Sequence, residues 1–295
     1  MPPAYLNGDW IDDAQLSVPV ADAGFAMGVT VTERLRTFGP LPFRQPEHIQ
    51  RLRRSLEIVG LPADEIATEL DSVVTEYAAR IASLRTAGDD WAIVVFATPG
   101  VGGVPTRCVH GFPLPFAQWA DQYQTGVSLR VSDHRQTPAS CWPPELKCRS
   151  RMHYYLADQQ ARAAEPGARA LLLDQDGCVG EASTANVVIY REEEGVVSPR
   201  IEKILPGVSV AVVRELADQL GVPFTERDMT VEEFLSADEA WLSSTSVCLL
   251  PVVRCDGQAV GTGEPGPQFE RFLAAWSDLV GVDIAAQAMA HSPTK

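Results

Sequence analysis

Lysine is nearly absent from this chain. Only Lys147, Lys203 and Lys295 occur, and arginine supplies the other 21 of the 24 basic side chains. Positive charge as a whole is outweighed, because 39 carboxylates give a formal net charge of −15. Non-specific binding to nucleic acid or to an anionic membrane needs a basic surface, so neither is expected as a partner. No stretch approaches 18 unbroken apolar residues, and no membrane span is expected. The first 25 residues carry Asp9, Asp12, Asp13 and Asp22 but no basic residue, unlike the charged start and apolar run of a signal peptide. The six cysteines form no CxxC pair and fit neither a zinc site nor a disulfide framework. They read as reduced thiols of a cytoplasmic protein, each a small core hydrophobe. The five histidines have no metal-ligand spacing. There is no GxSxG elbow and no GxxxxGK[ST] loop. Gly261–Gly266 matches GxGxxG as text, but a proline breaks it, and it reads as a turn before the last helix.

What is present suits a globular enzyme. The chain has 295 residues with 45% apolar content, enough for two cores. A short strand at Ala4–Leu6, the turn Asn7-Gly8 and a strand near Trp10–Ile11 read as a hairpin. Val29–Thr37 and Trp91–Ala97 read as strands, and Pro46–Val59 and Pro62–Ala82 as helices. Pro113, Pro115 and the polar run to Gly126 read as a linker, which predicts domains over residues 1–120 and 125–295. The second half alternates again: a strand at Val127–Ser132, a Pro-rich loop at Gln136–Pro144, and a helix at Arg151–Ala164. Strands at Arg169–Leu173 and Ala185–Tyr190 follow, then a helix at Val208–Leu220, strands at Glu239–Leu242 and Leu249–Arg254, and a helix at Gln268–Val280. This mixture predicts an α+β protein.

The three lysines then become informative. A surface cation can be lysine or arginine, but only an amine can lose its proton near neutral pH and attack an aldehyde. Lys295 is the terminal residue, and Lys203 stands next to Glu202 and reads as half of a solvated ion pair. Lys147 follows a Pro-Pro-Glu-Leu turn and precedes Arg149 and Arg151, whose charges would depress its pKa. Rarity alone leaves two readings open: a Schiff-base nucleophile or a third surface lysine.

The neighbourhood of Lys147 carries more. Glu145-Leu-Lys147 leads into Arg151-Met-His-Tyr-Tyr-Leu-Ala157, then Ala170-Leu-Leu-Leu-Asp174 and Val179-Gly-Glu181-Ala-Ser-Thr-Ala-Asn186. Ile204-Leu-Pro-Gly207-Val208-Ser209 and Ala237-Asp-Glu239 to Thr245 come next, closing at Leu250-Pro-Val252. Upstream stand Tyr5-Leu-Asn-Gly8, Asp22-Ala-Gly-Phe25 and His48-Ile-Gln-Arg51-Leu52. In order and spacing this set resembles the class IV, fold-type IV pyridoxal 5'-phosphate (PLP) enzymes: branched-chain aminotransferases, D-amino-acid aminotransferases and 4-amino-4-deoxychorismate lyases. The resemblance implies two α/β domains with PLP in the cleft between them, the C-terminal one a pseudo-barrel, and a homodimer.

It also implies roles. Lys147 would join PLP as a Schiff base and move the proton, and Glu181 would bond the pyridine nitrogen. Arg51, the N–H groups of Val208 and Ser209, and the Thr245 hydroxyl would hold the phosphate. Ser246 would lie near the substrate carboxylate. The substrate pocket departs from the family. Thr32 stands where the D-amino-acid enzymes place a tyrosine and the branched-chain enzymes an aromatic residue. Arg107 and His110 keep the residue types of the D-specific Arg-x-His carboxylate trap with one extra residue between them. Met152 falls near the tyrosine that helps hold the ring hydroxyl in branched-chain enzymes, and Tyr154 and His153 are expected to point elsewhere. Arg149 and Arg151 read either as partners of a second substrate carboxylate, as surface charges, or as tuning of Lys147. Amino-group transfer between an amino acid and a 2-oxo acid is the favoured function. A lyase of the aminodeoxychorismate type and a non-catalytic binding relative are the alternatives.

Overall fold

Alternating side chains build the first sheet, and two helices with 3.6-residue periodicity cover it. The structure, a computed structural model, describes residues 1–86 and 88–291. Chain contacts divide them into two units: Met1–Leu114 with Glu145–Ser150, and Pro115–Pro144 with the chain from Arg151 onward.

In the first unit, β1 (Pro3–Leu6) and β2 (Asp9–Asp12) form a hairpin. Its turn uses positive φ at Asn7 (53°) and Gly8 (107°), which an Asn-Gly pair tolerates. The short helix α1 (Ala23–Ala26) precedes β3 (Val31–Phe38) and β4 (Leu41–Pro42). Then come α2 (Gln45–Ile58), α3 (Ala63–Ile81), β5 (Trp91–Val101) and β6 (Val104–Pro113). The strands lie in the order β2-β1-β6-β5-β3-β4, all antiparallel. Odd-numbered residues of the sheet (Val31, Leu35, Ile93, Val95, Val109) face Leu52 and Leu56 of α2 and Ile66, Leu70 and Val74 of α3 in one core. β6 is not evident in the sequence, because Pro105, Gly111 and Pro113 interrupt its apolar pattern.

Residues 145–150 join this first unit rather than the expected domain over 125–295. Their backbone groups are satisfied there. Val31 forms an antiparallel bridge with Cys148. Thr32 N–H donates to the Lys147 carbonyl at 3.0 Å, and Arg149 N–H to the Thr30 carbonyl at 2.9 Å.

The second unit begins with the short helix α4 (Gln122–Thr125), β7 (Val127–Val131), α5 (Met152–Ala164), β8 (Arg169–Leu173), β9 (Val179–Ala182), β10 (Ala185–Arg191) and β11 (Gly195–Ser198). It continues through α6 (Val208–Leu220), β12 (Phe224–Glu226), α7 (Val231–Leu235), β13 (Glu239–Ser244), β14 (Cys248–Cys255), β15 (Gln258–Ala259), α8 (Pro267–Val280) and α9 (Ile284–Met289). The main hydrogen-bonded order is β12-β11-β10-β13-β14-β7-β8-β9, and β9 also pairs with β10. The strands from β10 round to β9 therefore close into a ring, which leaves no open edge among them. Gly261–Gly266 is a turn, and Gly266 caps α8. A further helix, α9, follows α8. No helix among the described residues is long and apolar enough to cross a membrane.

Leu52 is fully buried between α2 and the first sheet. Leu52→Ala is expected to cost about 2–5 kcal/mol of stability, the usual range for a buried leucine that leaves a cavity. Urea unfolding of the two proteins measures it, and a loss under about 1 kcal/mol would show that the site collapses around the gap.

Candidate active site

Lys147 is held by its backbone. Its carbonyl accepts from Thr32 N–H, and its own N–H donates to Ser55 Oγ at 3.2 Å. Ser55 is fully buried on α2. A strand and a helix thus fix the start of the side chain, which is itself half-buried.

The same helix carries His48 and Arg51, which with Ser55 fall on one face at i, i+3 and i+7. That face meets Glu33 of β3, a carboxylate almost entirely out of solvent. Arg51 grips it in a bidentate pair, Nε to Oε1 at 2.7 Å and Nη2 to Oε2 at 2.8 Å. His48 Nδ1 lies 2.8 Å from Oε2 and, facing a carboxylate, donates its proton. Burial alone would raise the Glu33 pKa. The Arg51 charge and the hydrogen bonds from Arg51 and His48 outweigh it and hold the carboxyl well below the usual range. Burial, with the Arg51 and Lys147 charges, outweighs the pull of Glu33 on His48 and lowers the imidazole pKa. Glu33 and His48 were not singled out as site residues, since a buried acid on an alternating strand has no local signature.

In the second unit the turn at Ser183–Thr184 sets Glu181 of β9 opposite Asn186 of β10. Glu181 also stands opposite Leu172 of β8, and Asn186 opposite Ser243 of β13. Opposed residues share a sheet face. Leu172 puts this one under α5, in a cluster with Ala157, Ala161, Ala170 and the Tyr154 ring. Tyr154 Oη donates to Glu181 Oε1 at 2.8 Å, and Glu181 is 8% exposed. Tyr154 is thus directed to the Glu181 carboxylate, on the helix face that also carries Ala157 and Ala161. Met152 lies exposed.

Asn186 Nδ2 donates to the Leu205 carbonyl at 2.9 Å, which anchors the loop into α6. Gly207 is the N-cap of α6, no side chain caps the helix, and a Cβ at 207 would overlap the Asn186 amide oxygen. Ser209 is buried in the first turn beside Val208. The Ser243 hydroxyl is buried and finds no hydrogen-bond partner among the described residues. A buried carboxylate, an orphaned hydroxyl and a helix N-terminus without a side-chain cap are the groups that a ring nitrogen and a phosphate require. The donor set fits PLP.

Thr245 and Ser246 lie in the turn between β13 and β14, half-buried. Thr32 is buried, and its hydroxyl donates to the Val95 carbonyl at 2.8 Å. Arg107 and His110 are not brought together. Three residues apart on β6, they project from opposite faces. Arg107 Nη1 meets Glu69 Oε2 of α3 at 2.7 Å, whereas the His110 ring contacts Phe96, 6.3 Å between centroids, with Asp13 at 3.9 Å. Burial lowers the His110 pKa, the Asp13 charge opposes that, and the charges of Arg149 and Arg34 reinforce it. Arg149 itself is exposed. Lys203 reaches Asp174 and Asp228, each at 3.0 Å, and Asp176 at 3.3 Å, so the expected pair with Glu202 is replaced by three other carboxylates. Lys295 lies outside the described residues.

The model of the family described as amino-transferase class IV matches residues 30–255. The chain belongs to this family. A D-alanine aminotransferase of Bacillus licheniformis is 28% identical over 269 residues, covering 89% of this chain and 91% of that protein. A putative branched-chain-amino-acid aminotransferase of Methanocaldococcus jannaschii is 28% identical over 284 residues, 93% and 95% of the two chains. Among solved structures, the branched-chain aminotransferase of the archaeon Thermoproteus uzoniensis with norvaline superposes with a TM-score of 0.83 at 25% identity, covering 95% of each chain. That likeness gives the fold, which is fold-type IV. The class IV aminotransferase is a PLP-dependent aminotransferase with this α+β architecture.

Glu33 is worth most where it is ionised. Its folded pKa lies below the reference value of 4.5, so its contribution is present above that pH and is lost as pH falls through the folded value. Glu33→Gln is expected to cost about 3–5 kcal/mol at neutral pH by breaking a buried pair. It should also flatten the loss of stability below pH 4.5. Urea unfolding as a function of pH measures both, and parallel curves for the two proteins would refute the assignment.

Proposed function

We propose that this enzyme moves an amino group between a branched-chain-like amino acid and a 2-oxo acid, with Lys147 as the amine joined to the cofactor. The observation that carries the reading is the sheet face on which buried Glu181, Asn186 and the start of α6 lie together. Bound PLP supplies an electron sink for the charge left when a Cα proton departs. Glu181 holds the proton on the ring nitrogen. Lys147 Nζ takes up the proton leaving the substrate Cα and gives it back. The N–H groups of Val208 and Ser209, the Thr245 hydroxyl and the Arg51 cation, aligned by Glu33, bind the phosphate. Ser246 and Arg149 orient the substrate carboxylates.

The relatives' names divide between D-alanine and branched-chain substrates at the same identity. The chain's own residues lean toward the second. Arg107 is committed to Glu69 and His110 projects from the other face, so these two residues do not supply a paired trap for a D-amino-acid carboxylate. We further propose a homodimer acting in the cytoplasm. Phe25 and Met27 of the first unit, and Met152 and Tyr155 of the second, are exposed apolar side chains of the kind a second copy covers.

Lys147→Ala is expected to fold as the parent does and to lose borohydride fixation of the cofactor at this position. Amino transfer should fall by about 10³-fold or more, the scale of a lost general base. Peptide mapping after reduction checks it, and label on any other side chain refutes the role. In the parent enzyme, branched-chain L-amino acids should convert the bound cofactor to its pyridoxamine form. Pyruvate release from aminodeoxychorismate without an acceptor would mark a lyase instead.

A further inference from the structure

We infer that Tyr154 is a positioning residue for the cofactor: its hydroxyl holds Oε1 of Glu181, the carboxylate proposed to bond the ring nitrogen. The inference rests on the proposed role of Glu181 and deepens it. An ionised carboxylate can accept at both oxygens, and a glutamate's terminal torsion is broad, so burial alone does not aim it. The O–H···O contact at 2.8 Å to a carboxylate 8% exposed supplies a directional restraint.

Tyr154 is itself well placed to do this. Its ring packs on the cluster of Ala157, Ala161, Ala170 and Leu172. One helical turn later, Asp158 Oδ1 accepts from Ser183 Oγ at 2.7 Å and from Ala170 N–H at 3.0 Å. Ser183 belongs to the turn that follows Glu181. Tyr154 and Asp158, at i and i+4, therefore fasten α5 to the β9–β10 hairpin at two points, one on each side of Ala182. The hydroxyl comes from Tyr154 rather than from position 152, where Met152 lies exposed, and it is directed to the carboxylate.

The test measures binding of pyridoxamine 5'-phosphate, which Lys147 does not hold covalently. Titration calorimetry compares the parent apoprotein with Y154F, E181Q and the double variant. Tyr154→Phe keeps the ring on its cluster, so the apoprotein should still fold and unfold cooperatively, with a melting temperature lowered only by the lost hydrogen bond. Its affinity for pyridoxamine 5'-phosphate should fall about tenfold, the lower scale of a hydrogen bond to a charged group. In the E181Q background the same change should have no further effect. Unchanged affinity in Y154F makes Tyr154 a packing residue and overturns the inference. So does a loss that adds fully to that of E181Q, because Tyr154 would then act elsewhere. Unchanged affinity in E181Q instead overturns the role of Glu181 itself, and the two failures are told apart.

Discussion

A carboxylate buried in the first unit sets the terms for everything around Lys147. Glu33 cannot remain charged out of water without compensation, and a fixed guanidinium with one imidazole N–H supplies it. The pair also locks β3 to α2. Those two elements then provide the backbone donor and the hydroxyl that hold Lys147. Lys147 sits on a loop, but its first atoms are positioned by the core.

The second unit solves a similar problem with pairing. A tight turn makes Glu181 and Asn186 neighbours, and closing the strands into a ring leaves them no register to slip into. One side chain is aimed by a tyrosine from α5, and the other anchors the loop that begins α6. Gly207 is needed there because any Cβ would displace the Asn186 amide. Lys203, read from sequence as a surface pair, instead gathers Asp174, Asp176 and Asp228 just before this loop.

Strand geometry decides which side chains can act together. Arg107 and His110 keep the residue types of a carboxylate trap, yet an odd spacing on a strand sends them apart. Thr32 also offers less than its residue type suggests, since its hydroxyl is donated to Val95 within the sheet.

The amino-acid order by itself determined the Asn7-Gly8 hairpin and the helices α2, α3, α5 and α6, and its resemblance to the class IV enzymes marked Lys147 and Glu181 as candidates. Turn chemistry, helical periodicity and motif spacing are local, and a linear chain records them directly. It did not disclose β6, whose prolines and glycine hide its alternation, or β9, which is too short for a pattern to emerge. Only the tertiary structure decided that Glu33 and His48 meet Arg51, that Tyr154 reaches Glu181, and that residues 145–150 complete the first unit. Each depends on contacts between distant segments, and their energy comes from satisfying buried polar groups that no single segment can satisfy alone.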